Sequence, residues 1–517
     1  MTLIQAMGIS RESLVNNQYA LTVVSHNVAN MNTEGYSRQK AIFNELRYLN
    51  SGSSVTSAIY SLGGAEISNI QSYADMALNT MVRDTNSEAA YYDELAKLMG
   101  DIESYIDQLG DDGLIAKISN FYTAVNNLTN SPTDSSTRNS FVQAADNVAD
   151  AFNLIYSQLE EYKNGMSGDY TIPSTAANSA IGLSVNAINQ KLEELAAVNN
   201  KISRLASSVD GATNSLIDAR EKILEELSSY IPLNVKEETS GSVTVKLGDV
   251  TLVSGGTVDN SLQVVSGDFN NPIIVQTVSS LTNTVSCDSL NDFVGEGGIL
   301  GAQLDLVSNE DGFISINKML DQLDNLATSF MTTINGVQQY ANGDIKACYI
   351  TTDPVTGNMI LSSETPPALF TGTGAKDMKV NAAISADPKK IAAARVDTSK
   401  ADWNLAVGNS SNALDMFQTR GAYNVSSVRG PIGDYTFEGY LTSITTNFAA
   451  QLADIKSNGT ICDSLYEAAL TRRDSTVAVN LDEELSDMIK FQRAYEASAR
   501  VFSTVDSLLE TLTALGR

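Results

Sequence analysis

Residues able to carry out acid–base or nucleophilic chemistry are scarce in this chain of 517 amino acids. His26 is the only histidine, which leaves most Ser-His-Asp, Cys-His and histidine–metal arrangements incomplete. The cysteines Cys287, Cys348 and Cys462 are odd in number, far apart and form no Cys-x-x-Cys pair. We therefore interpret His26 as a capping or packing residue and the cysteines as buried small apolar side chains.

Motifs for binding phosphate or calcium, or for paired carboxylate catalysis, are equally weak. Residues 372–377 lack the Gly-Lys-Ser/Thr ending of a phosphate loop, and no loop of alternating Asp/Asn closed by Glu is present. Carboxylate pairs such as Glu193 and Glu194 are expected on solvated helix faces, because the chain has 61 acidic and 33 basic residues. The sequence predicts no catalytic residue, no cofactor and no metal, and hence no enzyme.

The charge balance also limits the partners. A net charge of −28 and a pI near 4.3 would make phosphate backbones and anionic lipid surfaces repel the chain. No stretch approaches 18 consecutive apolar residues, so we expect no membrane insertion. The first 30 residues have no basic start followed by a continuous apolar core, so we expect no cleaved secretion signal.

Heptad stripes at the two ends of the chain are its most informative elements. Met7, Leu14 and Leu21 recur every seven residues, and Met488, Phe502 and their neighbours form a matching stripe near the other end. Such a repeat predicts a helix that buries a narrow seam against other helices, so the ends should pair with each other, with other copies, or with both. The predicted assembly seam comprises Leu3, Met7, Leu14, Leu21, Val24, Val28, Leu481, Leu485, Met488, Tyr495, Phe502, Val505, Leu509 and Leu512.

Between the ends, helical periodicity predicts helices near 72–108, 133–165, 176–209, 214–230, 311–340 and 434–474, with terminal helices at 3–30 and 480–515. Val243, Val245 and Leu247 alternate with polar residues before Gly248 and Asp249, which predicts a hairpin. The predicted fold class is mainly α with inserted β (α+β): an elongated rod of long antiparallel helices, a terminal N/C coiled pair and small β-rich subdomains in the middle.

The predicted domains follow from these elements. Residues 1–50 and 477–517 are expected to form the two halves of an inner coiled-coil domain. The helical rod is assigned to residues 51–232, 296–340 and 406–476, with a small β-rich subdomain at 233–295 and a small mixed insertion domain at 341–405.

Short motifs at both ends resemble a known family. The run NVANMNTEGY from Asn27 to Tyr36 resembles the N-terminal signature of the axial proteins of the bacterial flagellum, and the following Ser37-Arg38-Gln39 resembles the form in the hook-associated protein 1 family. The runs VNLDEEL at 479–485 and FQRAY at 491–495 are similar to that family's C-terminal segment. The family-motif residues are Asn27, Asn30, Asn32, Thr33, Gly35, Tyr36, Arg38, Asn480, Leu481, Glu483 and Glu484.

The resemblance implies a structural subunit of the hook–filament junction, in a ring of about eleven copies. Its implied partners are copies of itself, the flagellar hook protein, hook-associated protein 3 and a cytoplasmic export chaperone. It also implies that the chain is secreted by the flagellar type III apparatus, being cytoplasmic only before export, and that it becomes ordered on assembly. The candidate chaperone-binding residues are Leu481, Met488, Tyr495, Phe502 and Leu509.

Two other interpretations stay open at this point. The chain could be another axial protein, such as hook-associated protein 3 or the hook protein, although its long helical body and its Gly-Tyr-Ser-Arg-Gln run favour hook-associated protein 1. It could also be a secreted helical adhesin or immunomodulatory binding module, which a large exposed variable domain would favour.

Overall fold

Helices make up most of the chain in this computed structural model. The structure describes residues 3–33, 35–48, 61–109, 113–205, 212–268, 273–282, 284–287, 289, 297–308, 314–422, 425–426 and 434–515. The helices within these ranges are α1 Leu3–Asn30, α2 Met76–Ile106, α3 Leu114–Asn130, α4 Ser135–Ser167, α5 Ala180–Leu205, α6 Ala212–Ser228, α7 Gly298–Val307, α8 Ile316–Gln338, α9 Ala382–Ala386, α10 Ser411–Gln418, α11 Phe437–Val477 and α12 Leu481–Leu515.

Side-chain caps fix where several helices begin. The Asp75 carboxylate accepts a hydrogen bond from the backbone N–H of Ala77 at 2.8 Å, and Asp134 accepts from Thr137 at the start of α4. Ser315 and Thr436 cap α8 and α11 in the same way. These short polar side chains satisfy backbone donors that have no partner inside the helix, so the caps set the boundaries of the body helices.

The helical body has one continuous apolar core. The α2 helix packs against α11 and α7, α3 packs against α4, and α5 packs against α6. Phe121 on α3 lies at the centre, with its ring 5.3 Å from that of Phe141 and 5.4 Å from that of Phe330. Since these rings are fully buried, the core supplies the apolar burial that stabilises the body.

Small antiparallel sheets interrupt the helices. The strands are β1 Gln39–Tyr48, β2 Ser61–Ser72, β3 Asn234–Glu237, β4 Val243–Leu247, β5 Val250–Ser254, β6 Thr257–Val258, β7 Asn260–Ser266, β8 Ile273–Ser279, β9 Val285–Cys287, β10 Ala341–Asn342, β11 Ile345–Thr352, β12 Met359–Ser362, β13 Phe370–Thr371, β14 Lys379–Val380, β15 Ala394–Asp397, β16 Val425–Ser426 and β17 Asp434–Tyr435. Strands β3–β6 and β7–β9 form two separate sheets. The predicted fold class, mainly α with inserted β, is confirmed.

The hairpin predicted at Gly248 and Asp249 is present. Leu247 pairs with Val250 across the turn, and Gly248 has a φ of +55°, a conformation that favours glycine. Val243, Val245 and Leu247 all point into the core, so the alternation in the sequence matches the buried face of β4.

The predicted boundary at residue 50 divides a second hairpin. Strand β2 pairs with β1 over their length, and both strands pack on α1. Residues 61–72 therefore lie with the terminal helices rather than with the rod, to which the sequence analysis assigns them. Residues 49–60, at the expected end of the first domain, lie outside the described residues.

Helix α3 is absent from the predicted helices, although its signal is in the sequence. Leu114, Ile118, Phe121, Val125 and Leu128 follow one another by threes and fours, and all are buried. The interpretation of the cysteines needs one correction. Cys348 and Cys462 are buried as predicted, but Cys287 is only half-buried, because it ends β9 at the margin of a three-stranded sheet.

Candidate assembly site

The two terminal helices form an antiparallel pair. Ser13 and Ser498 join their hydroxyl groups by a hydrogen bond of 2.7 Å, and Asn27 bonds to Glu484 at 3.0 Å. The residue numbers of the contacts rise along α1 while those of their partners on α12 fall, so the two helices run antiparallel. Helix α1 also packs on the β1–β2 hairpin, so it lies between α12 and the hairpin.

The buried line of α1 is largely polar and lies beside the predicted apolar stripe. Ser10, Asn17 and Asn27 are buried along it together with Ala20 and Val24. The predicted seam residues Leu3, Met7, Leu14, Leu21 and Val28 are half-buried at its flank. Hydrophobicity alone could not locate this line, because its polar side chains form hydrogen bonds within α1: the Asn17 amide donates to the Ser13 backbone carbonyl at 2.7 Å and to the Ser13 hydroxyl at 3.2 Å.

The predicted seam residues of α12 are buried to different degrees within one chain. Val505 is buried, and Met488, Phe502 and Leu509 are half-buried. Four predicted seam residues are exposed instead, with exposed fractions of 40% for Leu481, 44% for Leu485, 39% for Tyr495 and 54% for Leu512. Within one chain the predicted stripe is therefore buried only in part.

Three residues that the sequence analysis does not assign to the seam lie in it. Glu484 is buried, Phe491 lies with its ring 6.0 Å from that of Phe43 on β1, and Ser498 bonds to Ser13. Their spacing of seven residues is itself a heptad signal. It is hidden because two of the three are polar.

The chain turns a corner after α1, and we call the described residues from 27 to 39 the corner. The corner is built around the side chain of Asn27. The Asn27 side-chain oxygen accepts from the Gln39 backbone at 3.0 Å and from the Tyr36 hydroxyl at 2.8 Å. Its amide nitrogen donates to the Gln39 carbonyl at 2.8 Å and to Glu484 at 3.0 Å. One fully bonded, buried amide thus joins α1, the corner and α12.

The turn between Asn30 and Tyr36 brings the corner back towards α1. The Thr33 N–H donates to the Asn30 carbonyl at 2.9 Å, and Gly35 has a φ of +76°, which a side chain would strain. His26, predicted to cap or pack, is exposed and its Nδ1 lies 2.9 Å from the Tyr36 hydroxyl. Asn32 is exposed.

Arg38 connects the corner to the start of α12. Its Nε donates to Glu484 Oε1 at 2.7 Å, its Nη1 donates to Glu483, and its backbone N–H donates to the Val477 carbonyl at 2.9 Å. Burial acts to lower the pKa of Arg38, but the two glutamates outweigh it and raise that pKa. Asn480 caps α12 by accepting from Asp482 at 3.0 Å, so the helix begins with Glu483 and Glu484 in place.

The corner also contacts the body. The Ser37 backbone N–H donates to Asp218 Oδ2 on α6 at 3.3 Å, and the Tyr73 N–H donates to the Arg38 carbonyl at 2.9 Å just before α2. The motif residues therefore hold α1, α12 and the body together. In the part of the chain that the structure describes, no group of three or more His, Cys, Asp or Glu side chains could hold a metal ion. Nor does any described helix have the length and apolar content to cross a membrane.

Family comparisons match both the terminal pair and the body. The family "Flagella basal body rod protein" matches residues 9–36, and "Flagellar basal body rod FlgEFG protein C-terminal" matches residues 474–515. These segments are α1 with its corner and α12 with its cap, so the chain is a structural protein of the flagellar axial class. The body matches "Flagellar hook-associated protein FlgK helical domain" over residues 99–344.

Full-length relatives agree with this class. The chain is 26% identical to flagellar hook-associated protein 1 of Bacillus subtilis, over 98% of this chain and 97% of the relative. It is 22% identical to the protein of the same name from Escherichia coli, over 97% and 99%. The chain is thus similar over nearly its whole length to flagellar hook-associated protein 1, a structural protein of the hook–filament junction.

A solved structure shares the fold. It is the structure of the flagellar hook junction protein FlgK from Burkholderia pseudomallei, with a TM-score of 0.57 and 14% identity. The superposition includes 77% of this chain and 100% of the solved chain.

Proposed function

We propose that this chain is a ring subunit of the junction between hook and filament, and that its terminal pair completes its burial only against other copies. The exposure of α12 carries this proposal. Among the residues of α12 whose side chains the structure describes, only Glu484 and Val505 are buried. A helix of 35 residues with so little burial within its own chain is suited to packing against neighbours.

Apolar side chains point away from the pair on both helices. On α12, Ile489 is 52% exposed, Val501 51% and Leu508 48%, and on α1, Tyr19 is 55% exposed. The proposed neighbours are other copies in a ring of about eleven, with the hook protein and hook-associated protein 3 as axial partners. Burying these side chains between copies would contribute about 25 cal/mol per Å² of apolar surface.

Export as a largely unfolded chain fits the same arrangement. Because α12 is mostly exposed, it has few buried contacts to lose on unfolding. Unfolding the terminal pair for type III export from the cytoplasm would therefore require little free energy. Met488, Phe502 and Leu509, with the exposed Leu481 and Tyr495, remain the proposed surface for a cytoplasmic export chaperone.

Incorporation into the flagellum tests the proposal. Leu21→Asp combined with Phe502→Asp disrupts the seam, whereas Ile489→Ser combined with Leu508→Ser changes only outward side chains. Both double variants should abolish incorporation of a folded subunit, while Gln492→Ser, at an exposed polar position of α12, should incorporate normally. Normal incorporation of the outward-face variant would contradict the proposal.

A further inference from the structure

The carboxyl group of Asp218 lies where the corner meets the body. Asp218 is on α6, and only 9% of its side chain is exposed. Its Oδ2 accepts from the Ser37 backbone N–H at a rather long 3.3 Å. Its Oδ1 is buried and has no hydrogen-bond partner among the residues that the structure describes. A buried carboxylate with one oxygen left without a hydrogen bond is costly to keep charged.

The charged groups around Asp218 do not offset this cost. On α6, Glu221 adds repulsion, and it engages Arg83 at 2.8 Å and Arg220 at 3.0 Å in ion pairs of its own. Burial raises the pKa of Asp218 to about 6, which the hydrogen bonds from Ser37 only partly oppose.

The other titratable groups at this place come from the corner, α1 and α6. Tyr36 stays neutral, because burial and the charges of Asp218 and Glu484 raise its pKa. His26 from α1 and Lys222 from α6 line a cavity of about 250 Å³ together with Asp218. This cavity gives water a place to enter beside Asp218 once the corner moves.

We propose that Asp218 makes the contact between corner and body proton-dependent. When Asp218 is protonated, it can hold Ser37 against α6 without the free-energy cost of burying a charge. When it is ionised, an open contact in which water reaches both carboxylate oxygens is favoured. An acid whose pKa is higher in the closed state contributes stability that is present at low pH and lost as pH rises through about 6. At neutral pH the contact between Ser37 and α6 is thus open more often than at low pH. This inference concerns the free chain and does not depend on the proposed function.

Hydrogen exchange of the full-length monomer tests this inference. The exchange of peptides covering residues 35–39, corrected for the intrinsic chemical rate at each pH, gives the opening equilibrium constant of the contact. The shift of the Asp218 pKa predicts an opening constant about tenfold larger at pH 7.5 than at pH 5. Asp218→Asn keeps an acceptor for Ser37 and cannot titrate, so its opening constant should be equal at both pH values.

Matched variants separate Asp218 from its neighbours. His26→Gln removes the imidazole that lines the same cavity, and Asp249→Asn removes an exposed aspartate from the turn between β4 and β5. Both should retain the tenfold change. If Asp218→Asn does not fold, Asp218→Ala must show the same loss of pH dependence. A wild-type opening constant that is equal at both pH values, or a tenfold change that persists without Asp218 or disappears without His26, would overturn the proposal.

Discussion

Asn27 and Glu484 are 457 positions apart in the chain, yet the Asn27 amide donates to the Glu484 carboxylate at 3.0 Å. Arg38 bonds the other oxygen of the same carboxylate at 2.7 Å. Glu484 is almost completely buried, so these two donors replace the water that its charge would otherwise bind. The signature motifs at the two ends of the chain therefore meet at this carboxylate.

The two glutamates that Arg38 contacts should differ in their contributions. Glu484→Ala leaves Arg38 and Asn27 without their buried partner and is expected to cost about 3 kcal/mol in the opening free energy of the corner. Glu483 is 58% exposed, so Glu483→Ala should cost less than about 1 kcal/mol. Hydrogen exchange of residues 24–39 measures both free energies. Equal costs would show that the buried contact has no special role.

The ends of the free monomer should be cut first by a protease. The α12 helix exposes most of its residues, whereas 12 of the 23 residues of α8 are buried. We expect limited proteolysis with mass-spectrometric mapping to remove about residues 475–517 and 1–50 before any cut in α8. Ends as resistant as α8 would mean that the terminal pair is already stable within one chain.

Gly298, which follows Gly297 at the start of α7, should tolerate no side chain. Its φ is +68°, and a Cβ there would overlap the backbone of Tyr230, to which Leu300 N–H bonds at 3.0 Å. Gly298→Ala is expected to lower the free energy of unfolding of the body by at least about 3 kcal/mol. Gly336→Ala, in α8 with open space around it, should be neutral or slightly stabilising. Urea unfolding followed by circular dichroism distinguishes them, and similar midpoints for both variants would contradict the prediction.

The three thiols should react at different rates. Burial raises the pKa of the Cys348 and Cys462 thiols, and both side chains are buried in the folded chain. Cys287 is only half-buried. Iodoacetamide at pH 7.5 should therefore modify Cys287 at least about tenfold faster than the other two, as followed by peptide mass spectrometry. Equal rates in the native protein, with all three equally fast in urea, would contradict the described burial.

The sequence predicts the elements of this fold better than their contacts. Caps such as Asp75 and the turn at Gly248 are local signals, and the helices and hairpin they delimit are present. The terminal seam depends on which residues satisfy each other across the pair. Ser13 and Ser498 could be recognised as seam residues only from the contact itself. Asp218 could not be linked to Ser37 from the sequence either, because the two residues are 181 positions apart and no local pattern relates them.

Residue 484 completes the corner that residues 27–39 begin, which has a consequence for synthesis. During synthesis the start of the chain leaves the ribosome long before Glu484 is made. Asn27 and Arg38 therefore have no Glu484 carboxylate to bond until most of the chain has been synthesised. A chain truncated before α12 has every motif residue of its first part and still cannot close the corner. The closed corner can therefore form only in a chain that includes Glu484, and a fragment that ends before α12 leaves it open.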